Sequence, residues 1–126
     1  MNSVKLVIVN KGDYNRTIKK INNYLGEYDN RYIRLDIKYI KETISDGLDY
    51  NKDGMFDKIE KEMIKTILLS GFSVILVAID KPDSYYKNIE KFINSYSHLI
   101  NVKIEYKEIN KKENWIKRLI KRIKKI

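Results

Sequence analysis

Met63-Ile64-Lys65-Thr66-Ile67-Leu68-Leu69-Ser70-Gly71-Phe72-Ser73-Val74-Ile75-Leu76-Val77-Ala78-Ile79 decides the fold. Its first half repeats apolar residues at helical spacing. Gly71 sits where a helix should stop, and an almost unbroken β-branched run follows. Such a run suits a strand buried on both faces, as in the centre of a parallel sheet. Residues 4–9 (Val4-Lys5-Leu6-Val7-Ile8-Val9) read the same way, and 32–36 and 102–106 add two shorter strands. With 72–79 this makes four strands. Between them lie helical stripes: Ile18, Ile21 and Leu25; Ile37, Ile40 and Ile44; Phe56, Ile59, Met63 and Ile67; Ile89, Phe92, Ile93 and Tyr96. Ile116, Leu119, Ile120 and Ile123 form a last one. The order β-α-β-α-α-β-α-β-α predicts a three-layer α/β fold, with a mostly parallel four-stranded sheet flanked by helices.

The chain has 126 residues, and no internal boundary is visible, so residues 1–126 are read as one domain. It lacks Cys, which excludes disulfides, thiolate metal sites and a Cys nucleophile, and its one His, His98, excludes any two-imidazole centre. His98 has no carboxylate at a diagnostic spacing and reads as a surface or helix-end residue. No apolar run approaches the length of a membrane span, and charges flank the short apolar stretch near Met1. A cytoplasmic protein without integral membrane association is expected. The net charge is +9, and residues 110–126 hold eight Lys or Arg against the single Glu113. That segment carries most of the excess and calls for an anionic partner.

In an open α/β sheet ligands gather at the carboxyl ends of the strands. The turn after the first strand reads Asn10-Lys11-Gly12-Asp13-Tyr14-Asn15-Arg16-Thr17. Against the phosphate-cradling pattern G-x-x-x-x-G-K-[ST] its spacing is right, but Asn replaces both glycines and Arg16 replaces the Lys; Thr17 matches. The purely structural alternative is a capped turn in which Thr17 or Asn15 satisfies helix N–H groups.

Over residues 3–122 the order of elements resembles the kinase domain of 5′-hydroxyl polynucleotide kinases, a branch of the P-loop kinases. Arg34-Leu35-Asp36-Ile37-Lys38 is similar to that family's R-D-D-x-R. Residues 63–75 look like its long helix, Gly turn and third strand; residues 102–108 and 116–122 look like its fourth strand and basic lid helix. The resemblance implies ATP and Mg²⁺ at Asn10, Gly12, Asn15, Arg16 and Thr17, with Arg118 and Arg122 clamping phosphates from a lid-like helix at 110–126. Lys38, Lys117, Lys121, Lys124 and Lys125 are the candidate nucleic-acid contacts; the basic helix reads also as a phosphate-binding lid, an amphipathic helix at an anionic membrane surface, or a solvated face. Where the resemblance implies chemistry, the sequence departs from it. The family's general base falls on Leu35, which accepts no proton. Its D-x-T-N is Val77-Ala78-Ile79-Asp80 here. Asn side chains stand where glycine N–H groups would face phosphate, and Arg is not a neutral exchange for Lys. Arg16, Thr17 and Asp36 remain as the groups an active enzyme would use, and Asp36 should point to the opposite face of its strand from Leu35.

The reading that follows is a polynucleotide-kinase-like domain with a degenerate active site that binds nucleotide or nucleic-acid phosphates without catalysis. An active, divergent kinase is the alternative. A third reading is a calcium-binding or protein-interaction scaffold. Asp49, Asn51, Asp53, Asp57 and Glu60 fall on EF-hand positions 1, 3, 5, 9 and 12, with Gly54 at the turn. The same acidic residues would also serve as caps of the helix that follows. Trp115 and the ten Tyr offer stacking surface for bases, or packing anchors.

Overall fold

A computed structural model describes residues 3–28, 31–40 and 54–109. Strand β1 (Ser3–Gly12) leads to helix α1 (Tyr14–Tyr28), then β2 (Tyr32–Asp36) and a helical turn at 37–40. Helix α2 (Met55–Leu69), β3 (Ser73–Val77), α3 (Asp83–Asn94) and β4 (Asn101–Ile109) follow. The sheet order is β2-β3-β1-β4, with every neighbouring pair parallel. The two nearly continuous apolar strands are thus the two central ones, as their composition predicts.

Side chains alternate across the sheet and divide the core in two. Leu6 and Ile8 of β1 join Val74 and Leu76 of β3 beneath Ile64 and Leu68 of α2, with α3 beside them. Val7, Val9, Ile75 and Val77 face the other way, onto Ile18 and Ile21 of α1. In β4 the alternation shows as Val102 and Ile104 packed on the first layer. Lys103 and Glu105, alternating with them on the opposite face, pair at 3.3 Å, and Lys5 of β1 reaches the same carboxylate at 3.8 Å.

Helix α2 ends as Gly71 foretells. The Phe72 N–H donates to the Ile67 carbonyl (3.3 Å) and the Gly71 N–H to that of Leu68 (3.0 Å). Gly71 stands at φ 91°, a left-handed value that glycine takes at little cost. Three strands differ in extent from the sequence reading. β1 runs on to Gly12 and β4 to Ile109, because the two strands pair along each other as far as Gly12 and Ile109. β3 is shorter than the apolar run that encodes it, since Ala78 and Ile79 lie in the bend after Val77. The expected helix over 110–126 lies outside the described residues. None of the described helices is long and apolar enough to cross a membrane.

Candidate functional site

The carboxyl ends of β1, β2 and β3 meet at one end of the sheet. Backbone bonds lock them together: the Ala78 N–H donates to Val9 O and the Asp80 N–H to Asn10 O, each at 3.1 Å. Asp13 is the one residue between β1 and α1, where the phosphate-cradle spacing leads one to expect an open loop. Asp13 caps the helix. Its Oδ1 accepts the Arg16 N–H at 3.0 Å, and its carbonyl accepts the Thr17 N–H at 2.8 Å. This corrects the expectation that Thr17 or Asn15 supplies the cap: both already lie inside α1, one and three residues past its start. The preference of Asp for this position is ordinary helix chemistry. Gly12, at φ 133°, permits the tight entry.

Thr17 is fully buried, and its Oγ1 has no hydrogen-bond partner among the described residues. A buried unpaired hydroxyl costs about 1–3 kcal/mol. Thr17→Val, nearly the same shape, is therefore expected to raise the unfolding free energy by about 1 kcal/mol or more in urea denaturation. A loss of stability instead would mean that the hydroxyl is satisfied in solution.

At the end of β2, Leu35 and Asp36 part company as alternation requires. Leu35, in the place of the expected base, packs in the core between sheet and α2. Asp36 is buried on the α1 side, where its Oδ2 accepts the Tyr14 hydroxyl. Its Oδ1 accepts the N–H groups of Lys38 (3.1 Å) and Tyr39 (3.4 Å), capping the turn at 37–40. The Lys38 ammonium lies 4.6 Å from the centre of the Tyr14 ring, a cation–π contact. Tyr14 thus meets two of the candidate residues, Asp36 and Lys38, although nothing in its own spacing marks it.

Beyond β3, the stretch in place of D-x-T-N offers one carboxylate, on the exposed Asp80, whose φ of 58° is left-handed. Tyr86 pins this bend: its hydroxyl donates to Ala78 O at 2.5 Å and accepts the Lys81 N–H at 3.1 Å. Burial raises the Tyr86 pKa above the usual phenol value.

The residues present do not fit a phosphate cradle in this arrangement. The Arg16 N–H, in the first turn of α1, is taken by a carboxylate of the chain itself, and like charge disfavours a second anion there. Arg16 is exposed beside it, a side-chain cation without the inward-facing backbone that a cradle needs. Both oxygens of Asp36 and Oδ1 of Asp13 are engaged, so among the described residues the carboxylates at the ends of β1 and β2 serve as caps.

The calcium pattern divides. Asp49, Asn51 and Asp53 lie outside the described residues. Gly54 is left-handed (φ 69°) and α2 starts directly after it. Asp57 sits exposed in the first turn, where its charge favours the helix. Glu60 is buried and turned to α3, its Oε2 accepting the Tyr85 hydroxyl at 3.1 Å. Burial, then the nearby Glu60 charge, raise the Tyr85 pKa well above its ordinary value. Among the described residues no group of three or more His, Cys, Asp and Glu could hold a metal ion. His98 is exposed. Trp115, Lys117, Arg118, Lys121, Arg122, Lys124 and Lys125 lie outside the described residues.

No family model matches the chain, and no curated protein does. Solved structures do. One is a chain of the Pnkp1/Rnl/Hen1 RNA repair complex, with TM-score 0.63 and 14% identity over 100% of this chain and 40% of that one. Another is the hexameric APS kinase from Thiobacillus denitrificans, with TM-score 0.56 and 11% identity over 87% of this chain and 24% of that one. This chain therefore spans less than half the length of either. At such low identity the likeness shows the fold alone: this chain shares the α/β architecture of these two chains.

Proposed function

We propose that this is a non-catalytic, polynucleotide-kinase-like domain that binds the phosphates of nucleic acid through side-chain cations. One observation carries the non-catalytic part: the carboxylates at the ends of β1 and β2, Asp13 and Asp36, are both used as helix caps. Leu35 stands in the core where the base would be. Phosphoryl transfer depends on positioning and charge stabilisation; with the carboxylates at the ends of β1 and β2 used as caps and only the exposed Asp80 beyond β3, the described residues do not support it.

Nucleic acid as the partner is supported by three features. Arg16 and Lys38 are exposed at the ligand end of the sheet, and Tyr39 beside them is 65% exposed, a ring available for stacking. Residues 110–126 add Lys117, Arg118, Lys121, Arg122, Lys124 and Lys125. A structural neighbour belongs to an RNA repair complex. In this reading ATP and Mg²⁺ are not required, and Arg118 and Arg122 hold backbone phosphates of the nucleic acid.

Fluorescence anisotropy with labelled single-stranded RNA and DNA tests the reading. Binding should weaken linearly in log–log coordinates with salt, with a slope of about −0.7 per phosphate contacted. Affinity that ignores salt would remove nucleic acid as the ligand.

A further inference from the structure

The mismatch between the turn at the start of α1 and a phosphate cradle supports one step more, which rests on the non-catalytic reading. We infer that Asp13 is a tethered anion that occupies the N-terminus of α1 in place of phosphate, and so closes this turn to nucleotides and free phosphate. A helix of 15 residues has unpaired N–H groups and partial positive charge at its start, and it accepts any well-placed anion. Here the Asp13 carboxylate takes the Arg16 N–H at 3.0 Å. The chain cannot easily withdraw it. β1 stays paired with β4 as far as Gly12, so Asp13 is held between a sheet position and the first residue of the helix. Being tethered, the carboxylate competes at an effective concentration of at least the order of millimolar, without the entropy loss a free anion incurs.

Thr17 lies in the same first turn of α1. Its hydroxyl is fully buried and unpartnered among the described residues, one position beyond the residue whose N–H Asp13 takes. A fold that had no use for polarity there would gain by replacing it with an apolar side chain. Arg16, exposed next to it, supplies a cation on the outer side. The turn therefore keeps groups suited to an anion and fills the anion's place from within.

Inorganic pyrophosphate without added metal is the probe, titrated at constant ionic strength into the full chain and into Asp13→Asn and Asp13→Gly. The thermal midpoint and the heat of binding are followed. Asn retains a capping oxygen and removes the charge, so this variant should stay folded. The parent is expected to show only the weak response of its side-chain cations, whereas both variants bind at least about tenfold more tightly than the parent. Equal responses from all three proteins, or a stronger response from the parent, would overturn the assignment. Failure of the underlying reading has a different signature: labelled phosphate appearing on an oligonucleotide when the parent is given ATP.

Discussion

Asp36→Ala is expected to lower the unfolding free energy by about 3 kcal/mol, from the loss of a helix cap together with a charge-assisted bond. The carboxylate is buried, and each oxygen has work to do. Oδ2 accepts the Tyr14 hydroxyl, and Oδ1 accepts the Lys38 and Tyr39 N–H groups. Truncation leaves three donors to find other partners. Asp36→Asn should cost less, about 1 kcal/mol, because an amide oxygen still caps a helix. Tyr14→Phe should also cost about 1 kcal/mol. Combining Tyr14→Phe with Asp36→Ala should then cost less than their sum, with a coupling of at least about 0.5 kcal/mol in urea denaturation. A cost for Asp36→Ala within about 0.5 kcal/mol of zero would mean that this carboxylate is held by nothing, and that it stands ready for chemistry after all.

The second large effect concerns nucleic acid. Changing Lys117, Lys121, Lys124 and Lys125 together to Gln should weaken single-stranded oligonucleotide binding by about a hundredfold near 0.1 M salt and flatten the salt slope by up to about 3, four contacts at about 0.7 each. The apolar positions Ile116, Leu119, Ile120 and Ile123 are untouched by these changes. The effect should be nearly independent of base sequence, since phosphate contacts position a ligand without reading it. Arg16→Gln and Lys38→Gln at the ligand end should act in the same direction with smaller slope changes. If the fourfold variant binds as the parent does, the basic segment is not the contact, and the charge at 110–126 answers to some other partner.

Much of this fold was legible in the chain. A run such as Val74-Ile75-Leu76-Val77 has no polar face to give to water, so it had to be central, and Gly71 announced the left-handed turn before it. The reach of β1 to Gly12 was hidden because Asn10-Lys11-Gly12 has no strand character of its own; β4 alongside holds it extended. The phosphate-cradle spacing of residues 10–17 survived as a count of residues without surviving as a loop. Asp13 ahead of an apolar-periodic segment is a readable cap signal, and so is Asp36 ahead of Ile37, although Asp36 fits the kinase pattern as well. The Tyr14 hydroxyl on Asp36 had no local signal at all, since it joins residues far apart in the chain. Glu60 shows the same limit: its spacing fitted a calcium loop, while packing turned it to Tyr85.

Labelled ATP, Mg²⁺ and a 5′-hydroxyl oligonucleotide incubated with the full chain give the most direct test. The oligonucleotide should be bound with no label appearing on it, at any protein concentration that saturates binding. Label transferred to the 5′ end, and lost on Asp36→Asn or Thr17→Val, would contradict the non-catalytic reading, because groups assigned here to caps and core would then be serving catalysis.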